Sequence, residues 1–175
     1  MEKTIESEYI YKGKVVNLRI DEVRLQNNKK SKREIVEHRG ATAIVPIDSE
    51  NNIIMVTQYR KAVEKTLLEI PAGTLEDGED PLECAKRELV EEIGFGAKEF
   101  LHLISFYSTP GFTTEKLHLY MAKNLYKKEG VPDEDEFIQV KKVPLDEAFN
   151  MVMKGEIEDA KSIIGILLVH KRVRE

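Results

Sequence analysis

Apolar and polar residues alternate along the first forty residues, a pattern that predicts short β-strands. The apolar residues that fall on one face of successive strands are Val16, Leu18, Ile20, Val23 and Leu25. The pair Asn27-Asn28 lies between two of these segments and predicts a hairpin turn. A three-stranded sheet with so few apolar residues is marginally stable alone. We therefore expect it to pack against the rest of the chain or against a second subunit.

Longer, β-branched apolar runs follow and predict the strands of a larger sheet. The predicted strands cover residues 41–47, 53–58, 100–108, 116–122 and 137–143, and residues 67–71 lie between the second and the third of them. After Pro144 the pattern becomes helical, and a last helix is predicted at about residues 158–173. This order predicts an α+β fold in which helices cover both faces of a mixed sheet. We expect an N-terminal antiparallel sheet at 1–40 and a main domain at 41–175.

One further helix, between Asp80 and Gly94, carries a stripe of acids beside its apolar stripe. Asp80 can cap the helix, Pro81 suits its first position and Gly94 can end it. The stripe that faces the core holds Leu82, Ala85, Leu89 and Ile93, and the neighbouring stripe holds Glu88, Glu91 and Glu92.

This acidic stripe is electrostatically unfavourable by itself. Acids three and four residues apart cost about 0.2–0.5 kcal/mol per pair, and acids near a helix C terminus also oppose the helix dipole. A hard divalent cation would reverse this balance, because Mg²⁺ prefers carboxylate oxygens and shares them with substrate phosphates. A solvated acidic face, compensated by Arg87 or nearby lysines, explains the helix alone equally well.

The spacing of the whole stretch from Gly73 to Phe95 (GTLEDGEDPLECAKRELVEEIGF) favours the metal site. It resembles the Nudix box at nine specified positions, which are Gly73, Glu79, Arg87, Glu88, Leu89, Glu91, Glu92, Gly94 and Phe95. The resemblance implies a Nudix-type α/β/α sandwich whose loop-helix-loop carries Mg²⁺ or Mn²⁺. It also implies an enzyme that cleaves a nucleoside diphosphate linked to another group, with Gly73 permitting a close approach to the helix.

The resemblance assigns roles to individual residues of the box and its neighbour. Glu88 and Glu92 would be the metal ligands on the helix, with Glu91 as a further ligand through metal or water. The carbonyl oxygen of Ala72 would also face the metal. Arg87 would orient the glutamates.

A second group of acids, Asp133 to Glu136, precedes the predicted strand at 137–143. A water that attacks phosphorus needs a general base, and the box glutamates can be consumed by the metal. Similarity to the ADP-ribose pyrophosphatases of the family implies Glu134 as this base and Glu136 as another metal ligand. A shift by one or two acids, or a merely solvated acidic loop, remains an alternative.

Substrate recognition is expected outside the box. Pro110, within Thr109-Pro110-Gly111, lies fifteen residues after Phe95. A proline near that distance distinguishes the ADP-ribose-hydrolysing members that this chain resembles, although Pro-Gly is also an ordinary turn. Glu115 is expected to accept a hydrogen bond from a ribose hydroxyl, or else to be a strand-end acid.

Arginine suits a diphosphate because its planar fork binds two oxygens at once. Arg60 and Arg33 lie where the family places arginines that contact phosphate and ribose. Glu69, shortly before the box, is expected to buttress it or to pair with Arg60.

Composition narrows the class of partner. The 175 residues include 27 Lys and Arg against 32 Asp and Glu, a net charge of -5 that argues against non-specific nucleic-acid binding. The lone Cys84 fits a reducing compartment and is expected to be a packing residue rather than a nucleophile. The sequence contains no signal-like segment and no apolar run of membrane length, so we expect a cytoplasmic protein that binds no membrane.

The resemblance to the ADP-ribose pyrophosphatases of the Nudix family implies Mg²⁺-dependent hydrolysis of the ADP-ribose diphosphate to AMP and ribose 5-phosphate. The resemblance also implies a homodimer that exchanges the N-terminal sheet and lends residues to the partner's site. Two alternatives remain. The substrate is another nucleoside diphosphate derivative, or the chain is a catalytically silent module that binds ADP-ribose and regulates a partner. The intact box glutamates disfavour the silent module.

Overall fold

The computed structural model describes residues 1–130 and 138–174. The chain divides into two compact units. The first unit comprises Met1–Gly40 and Phe106–Lys116, and the second comprises Ala41–Ser105 and Leu117–Glu175. The N-terminal sheet therefore shares its unit with a segment from much later in the chain.

A three-stranded antiparallel sheet makes up most of the first unit. Its strands, in the order β1-β2-β3, are β1 (Lys3–Lys12), β2 (Asn17–Arg24) and β3 (Lys30–Glu37). The backbone N–H of Leu25 donates to the carbonyl oxygen of Lys29 at 2.8 Å, and Asn28 adopts a positive φ of 65°. Asparagine tolerates this left-handed conformation well, and the predicted hairpin turn is confirmed.

Strand β1 is exposed along its whole length within this chain. Its exposed large apolar side chains include Ile5, Tyr9, Ile10 and Tyr11. Strand β2, by contrast, buries Asp21 and Val23. The sheet is therefore covered along β2 and open along β1.

The segment around Pro110 attaches to the end of β3 through hydrogen bonds. Val36 donates its backbone N–H to the carbonyl oxygen of Phe112 at 2.8 Å, and Thr114 donates to that of Val36 at 3.0 Å. The Thr114 hydroxyl also accepts from the N–H of His38 and donates to the carbonyl oxygen of His38. These bonds fix the turn that contains Pro110 against the N-terminal sheet.

In the part of the chain that the structure describes, seven further strands form two sheets. The strands are β4 (Ala41–Pro46), β5 (Asn52–Arg60), β6 (Lys65–Glu69), β7 (Ala72–Thr74), β8 (Phe95–Tyr107), β9 (Lys116–Lys127) and β10 (Gln139–Pro144). One sheet has the order β7-β4-β9-β8 and is mixed, because β4 pairs parallel with β9 and antiparallel with β7. The other has the order β10-β5-β6 and is antiparallel.

Three helices complete the described part of the second unit. They are α1 (Pro81–Ile93), α2 (Leu145–Met153) and α3 (Ala160–Arg174). Across residues 1–130 and 138–174, no helix is long and apolar enough to span a membrane.

Helices α1 and α3 pack on opposite faces of β4. Ile44 lies in a buried cluster with Leu89 and Ile93 of α1. The next residue, Val45, faces α3, where a Cβ on Gly165 would lie 2.7 Å from its Cγ2. Neighbouring strand residues point to opposite faces of a sheet, so a helix covers each face here. The predicted α/β/α sandwich is confirmed.

Candidate active site

Helix α1 has well-defined ends, and these fix which side chains face β7. At its start, the Asp80 carboxylate accepts from the backbone N–H of Leu82 at 2.9 Å and from that of Glu83 at 3.3 Å. Pro81 is the first helical residue. At its end, Gly94 adopts a left-handed conformation with φ 69°. The predicted cap, first residue and stop of this helix are all confirmed.

Two of the predicted metal ligands are buried where α1 meets β7. Glu88 is 9% exposed and Glu92 is 8% exposed. The Glu88 carboxyl group lies so close to Gly73 that a Cβ on that residue would overlap it. The backbone N–H of Ala72 donates to Oε2 of Glu92 at 3.1 Å. Strand and helix therefore meet through carboxylates, and position 73 has room for glycine alone.

Arg87 joins the acids of the box into one network. Its Nε and Nη2 donate to the two carboxylate oxygens of Glu79, at 3.0 and 3.1 Å. Its Nη1 donates to Glu88 at 2.6 Å and to Glu91 at 2.9 Å. One guanidinium thus contacts three carboxylates through charge-assisted hydrogen bonds, an arrangement suited to orienting them.

These contacts shift the pKa values of the partners. The hydrogen bonds from Arg87 lower the pKa of Glu79 to about 2, against the opposing effect of burial and with help from the backbone N–H of Glu76. The same bonds with Glu79 raise the pKa of Arg87, and Glu88 and Glu91 add to that effect. The Glu79–Arg87 pair is therefore charged at neutral pH.

The donor chemistry of Glu88, Glu91 and Glu92 fits a hard divalent cation, because all three offer carboxylate oxygens. Among the residues that the structure describes, no three acidic, His or Cys side chains converge closely enough to hold a metal ion. In this arrangement Arg87 holds Glu88 and Glu91, and the backbone N–H of Ala72 holds Glu92. Several carboxylates share one guanidinium here, and a divalent cation on the three glutamates would offset the remaining negative charge.

Cys84 packs inside the interface between α1 and the sheet. It is fully buried, and its Sγ lies 3.4 Å from Nη2 of Arg87. Burial raises the pKa of its thiol to about 12. A thiol with that pKa stays protonated at neutral pH and is a poor nucleophile, so the expectation of a packing residue is confirmed.

Arg60 and Glu69 form a bidentate ion pair, which is one of the two roles expected of Glu69. Nε of Arg60 lies 2.8 Å from Oε1 of Glu69, and Nη2 lies 2.7 Å from Oε2. Burial alone would raise the pKa of Glu69, but Arg60 and Lys161 outweigh it and hold that pKa below its usual value. The pKa of Arg60 is raised by its bonds with Glu69 and, to a smaller extent, by the charge of Glu92. This pair is therefore coupled electrostatically to the box.

Lys161 is a third partner in this cluster, and sequence reasoning did not identify it. Its Nζ donates to Oε2 of Glu69 at 2.5 Å and lies 3.1 Å from Asp159. The neighbouring Ser162 accepts from the backbone N–H of Ile70 at 2.8 Å. A lysine in the first turn of a helix opposes the helix dipole, and that mismatch is the sequence signal that could have revealed Lys161.

The predicted substrate-binding residues of the first unit lie mainly in the Pro110 turn. The carbonyl oxygen of Thr109 accepts from two backbone N–H groups at 3.2 Å each, which closes the turn that contains Pro110 and Gly111. Oε1 of Glu115 lies 3.8 Å from Nδ1 of His38. The backbone N–H of Glu115 donates to the Thr113 hydroxyl at 3.2 Å, so a hydrogen bond joins Glu115 to the turn.

Three other predicted residues are placed elsewhere or lie outside the described part of the chain. Arg33 donates from Nε and Nη2 to the Glu2 carboxylate, at 3.0 and 2.5 Å, and from Nη1 to the Ser31 hydroxyl. Its guanidinium thus binds an acid of its own unit. Glu134 and Glu136 lie outside the described residues.

Comparison with known proteins assigns both parts of the chain to described families. A profile of the NUDIX domain matches residues 37–164, and a profile of the nucleoside diphosphate sugar hydrolase N-terminal domain matches residues 2–36. The chain is 50% identical to the methanol dehydrogenase activator of Bacillus methanolicus and 46% identical to the ADP-ribose pyrophosphatase of Bacillus subtilis strain 168. Each alignment spans 167 residues, which is 94% of this chain and 90% of the relative.

A solved crystal structure of an ADP compounds hydrolase shares the fold. The two structures superimpose with a TM-score of 0.88, and the match covers 99% of this chain and 94% of that chain at 23% identity. The strand and helix arrangement given above is therefore one already seen by experiment.

Proposed function

Because the chain belongs to the Nudix hydrolase family, we propose that it hydrolyses the diphosphate of ADP-ribose to AMP and ribose 5-phosphate. The observation that carries this proposal is the box, in which Glu88 and Glu92 are buried against β7 while Arg87 holds Glu88 and Glu91. The 46% identity to an ADP-ribose pyrophosphatase over nearly the whole chain supports the choice of substrate.

Glu88, Glu91 and Glu92, with the carbonyl oxygen of Ala72, would hold Mg²⁺ or Mn²⁺. A bound divalent ion supplies charge neutralisation for a diphosphate and a water of lowered pKa. The chain itself fixes the carboxylates, since Gly73 leaves room for Glu88 and the Ala72 N–H holds Glu92 at 3.1 Å. Among the described residues no three acidic side chains converge on one point, so these carboxylates would have to move closer together to share one ion.

The general base is assigned to Glu134, and Glu136 is assigned as a further metal ligand. Both assignments rest on the resemblance of the acidic sequence at 133–136 to the acidic loop of ADP-ribose pyrophosphatases. A carboxylate within hydrogen-bond reach of the attacking water takes its proton as the new bond to phosphorus forms. Glu91 is the next candidate for this role.

Arg60 is assigned to the substrate diphosphate. Its side chain is 38% exposed, and the charge of Glu92 contributes to the raised pKa of Arg60 after the larger effect of Glu69. Its planar fork can bind two phosphate oxygens at once. The other residues assigned to substrate binding are Arg33, Glu69, Thr109, Pro110, Gly111 and Glu115.

A homodimer is part of the proposal, with residues 1–40 exchanged between subunits and residues 41–175 forming the Nudix domain. The exposed apolar side chains of β1 support it, because a second copy would cover them. Light scattering of the full chain should give twice the monomer mass, and a monomer at micromolar concentration would contradict the exchange.

We place the enzyme in the cytoplasm, where a thiol such as that of Cys84 stays reduced.

The decisive experiment couples hydrolysis to phosphate release. ADP-ribose is incubated with the purified protein, Mg²⁺ and an alkaline phosphatase, which frees phosphate from AMP and ribose 5-phosphate. Phosphate should appear only with protein and metal together, and EDTA should abolish it. A panel of sugar nucleotides and dinucleotides then tests the substrate. A tenfold or greater preference for another diphosphate, about 1.4 kcal/mol in transition-state binding, would replace ADP-ribose as the assigned substrate.

A second candidate function is regulation of a partner through nucleotide binding. This second function is supported by the 50% identity to a protein named methanol dehydrogenase activator. A module of this kind would bind ADP-ribose in calorimetry and release no phosphate from it. Binding without turnover would therefore support regulation, whereas metal-dependent turnover supports the hydrolase.

A further inference from the structure

Two residues, Ile70 and Pro71, carry the chain from one sheet of the second unit to the other. Strand β6 ends at Glu69 in the antiparallel sheet, whereas β7 begins at Ala72 in the mixed sheet. Ile70 belongs to neither strand and is 1% exposed. A buried backbone N–H needs a partner, so this crossover depends on a hydrogen bond from elsewhere in the chain.

Helix α3 supplies that partner through Ser162, a polar side chain that is fully buried. The Ser162 hydroxyl accepts from the backbone N–H of Ile70 at 2.8 Å and donates to Oδ2 of Asp159 at 2.5 Å. Because a carboxylate only accepts and a backbone N–H only donates, the direction of both bonds is fixed. Asp159 thus turns a lone pair of the Ser162 oxygen towards Ile70.

Gly165 lets α3 come close enough to the crossover for this bond. A Cβ at that position would lie 3.1 Å from Cδ1 of Ile70 and 2.7 Å from Cγ2 of Val45. Gly165 follows Ser162 by three residues, so both lie on the same face of the helix. The face of α3 that packs on Ile70 is therefore made of small residues, and the hydroxyl reaches the backbone of the crossover.

The peptide group between Pro71 and Ala72 joins the crossover to the box. Its carbonyl oxygen accepts from the backbone N–H of Ile44 at 2.8 Å, and its N–H donates to Oε2 of Glu92 at 3.1 Å. Proline fixes its own φ and restricts the residue before it to extended conformations, so little backbone freedom separates Ile70 from Ala72. An anchor on Ile70 therefore limits the movement of the N–H that holds Glu92.

We propose that Ser162 is a positioning residue for Glu92, because it anchors the segment whose Ala72 N–H holds that carboxylate. The inference rests on the proposed function, since it takes Glu92 as a metal ligand. Replacing a residue that orients a metal ligand typically weakens metal binding by about 10–100-fold. Ser162 acts through the backbone of the crossover, and it controls the affinity for the divalent ion without touching that ion.

The test measures the Kd for Mn²⁺ of the full chain, without substrate, from the paramagnetic resonance signal of free Mn²⁺. Ser162→Ala should raise this Kd by roughly tenfold, because the Ile70 N–H loses its acceptor. The Mg²⁺ concentration for half-maximal hydrolysis of ADP-ribose should rise in parallel. The KM for ADP-ribose at saturating Mg²⁺ should stay within about twofold of the wild-type value, since no contact with the substrate is lost.

Two further substitutions of Ser162 separate the hydrogen bond from packing. Threonine and cysteine are both larger than serine, but only threonine keeps a hydroxyl oxygen, and sulfur is a weak acceptor. Ser162→Thr should therefore keep the Mn²⁺ Kd within about threefold of the wild-type value, whereas Ser162→Cys should raise it as Ser162→Ala does. Because cysteine fills the site, Ser162→Cys gives a folded test even where Ser162→Ala unfolds.

Val169→Ala is the control for loss of stability. Val169 is fully buried on the same helix and its side chain has no polar atom, so truncation removes packing without removing a hydrogen bond. This variant should lower the urea midpoint of unfolding and leave the Mn²⁺ Kd within about twofold of the wild-type value. An equal rise of Kd in Val169→Ala and Ser162→Ala would indicate a general loss of stability and overturn the inference.

Glu92→Gln tests whether Ser162 acts through Glu92. In that background Ser162→Ala should change the Mn²⁺ Kd by less than about twofold, since the carboxylate that Ser162 positions is gone. An undiminished effect there, or an unchanged Kd in both Ser162→Ala and Ser162→Cys, would overturn the inference. Failure of the proposed function has a different signature, because Glu92→Gln alone would then bind Mn²⁺ as tightly as the wild type. That result would overturn the metal assignment and the inference with it.

Discussion

The carboxyl group of Glu88 packs directly against Gly73, and the Cβ atom of any other residue at position 73 would overlap it. Gly73 belongs to β7 and Glu88 to α1, so this contact sets the distance between the strand and the helix. The glycine that opens the box is thus required by the close approach of the backbone to a buried carboxylate, and its φ is not positive.

Gly73→Ala should damage activity more than stability. The new methyl group would displace the Glu88 carboxylate, and we expect kcat for ADP-ribose to fall by about 10²-fold or more. Overpacking of this kind costs about 1–3 kcal/mol in the free energy of unfolding. The Mg²⁺ concentration needed for half-maximal activity should rise as well. Initial rates across a Mg²⁺ titration and urea unfolding measure these effects.

Gly155→Ala is the control for this substitution. Gly155 has φ 74° with open space around it, so alanine there costs roughly 1 kcal/mol through backbone strain alone. Its kcat should be normal. If Gly73→Ala also keeps a normal kcat, the contact with Glu88 serves packing and not the reaction.

Glu88→Gln and Glu92→Gln test the metal assignment directly. Glutamine keeps the shape and a hydrogen-bond acceptor, including the one that the Ala72 N–H uses on Glu92, but it loses the charge. Each variant should lower kcat by about 10²–10³-fold while changing the free energy of unfolding by less than about 1 kcal/mol. Normal turnover in both variants would exclude these glutamates as metal ligands.

Glu83→Gln is the matched control on the same helix. Glu83 lies on the exposed side of α1, 63% exposed, and pairs only with Lys86 at 2.7 Å among the described ion pairs. Exposed pairs of this kind contribute about 0–1 kcal/mol, and the charge does not face β7. Turnover of this variant should equal that of the wild type.

Local signals made helix α1 predictable from sequence. Asp80, Pro81 and Gly94 each act on backbone groups within one turn, so their residue types alone indicate where the helix begins and ends. The apolar and acidic stripes follow from helical periodicity, which needs no knowledge of the rest of the fold. The same locality explains why the hairpin turn at Asn28 was predicted correctly.

Contacts between distant residues were beyond this kind of reasoning. Glu69 and Lys161 lie 92 positions apart, and only the packing of α3 in the folded domain brings them together. The attachment of the Pro110 turn to Val36 likewise depends on how the chain returns to the N-terminal sheet. For Arg60 the sequence offered the pair with Glu69 as one of two roles of that acid, but for Arg33 it indicated only a cation and not the pair with Glu2.

The Glu79–Arg87 pair predicts a specific dependence of stability on pH. Arg87 lowers the pKa of Glu79 from 4.5 to about 2, so folding favours the charged carboxylate. This contribution is complete above about pH 4.5 and is lost as the pH falls towards 2. It should amount to about 1–2 kcal/mol, less than the full shift implies, because the pair is partly open to water.

Urea unfolding at several pH values checks this. Glu79→Gln should be less stable than the wild type at pH 6, and the difference should shrink as the pH is lowered through 4 to 2.5. Glu64→Gln is the control, because the Glu64 side chain is 70% exposed and that of its partner Lys61 is 81% exposed. That variant should differ from the wild type by less than about 0.5 kcal/mol at every pH. A difference for Glu79→Gln that does not depend on pH would contradict the assigned cause.

The acidic residues at 133–136 give the remaining prediction, which concerns the general base. Glu134→Gln should lower kcat by about 10²–10⁴-fold, the range for loss of a general base, and the fall of the rate at acidic pH should disappear.

Glu136→Gln should act differently, since a lost metal ligand raises the Mg²⁺ requirement and leaves the acidic limb of the pH–rate profile in place. Glu129 is an exposed acid that precedes these residues in the sequence, and Glu129→Gln should behave as the wild type. If Glu134→Gln and Glu136→Gln exchange these signatures, the two roles are shifted by two residues relative to the assignment. If both keep full turnover, the base lies elsewhere, and Glu91→Gln, whose carboxylate Arg87 holds at 2.9 Å, becomes the variant to measure.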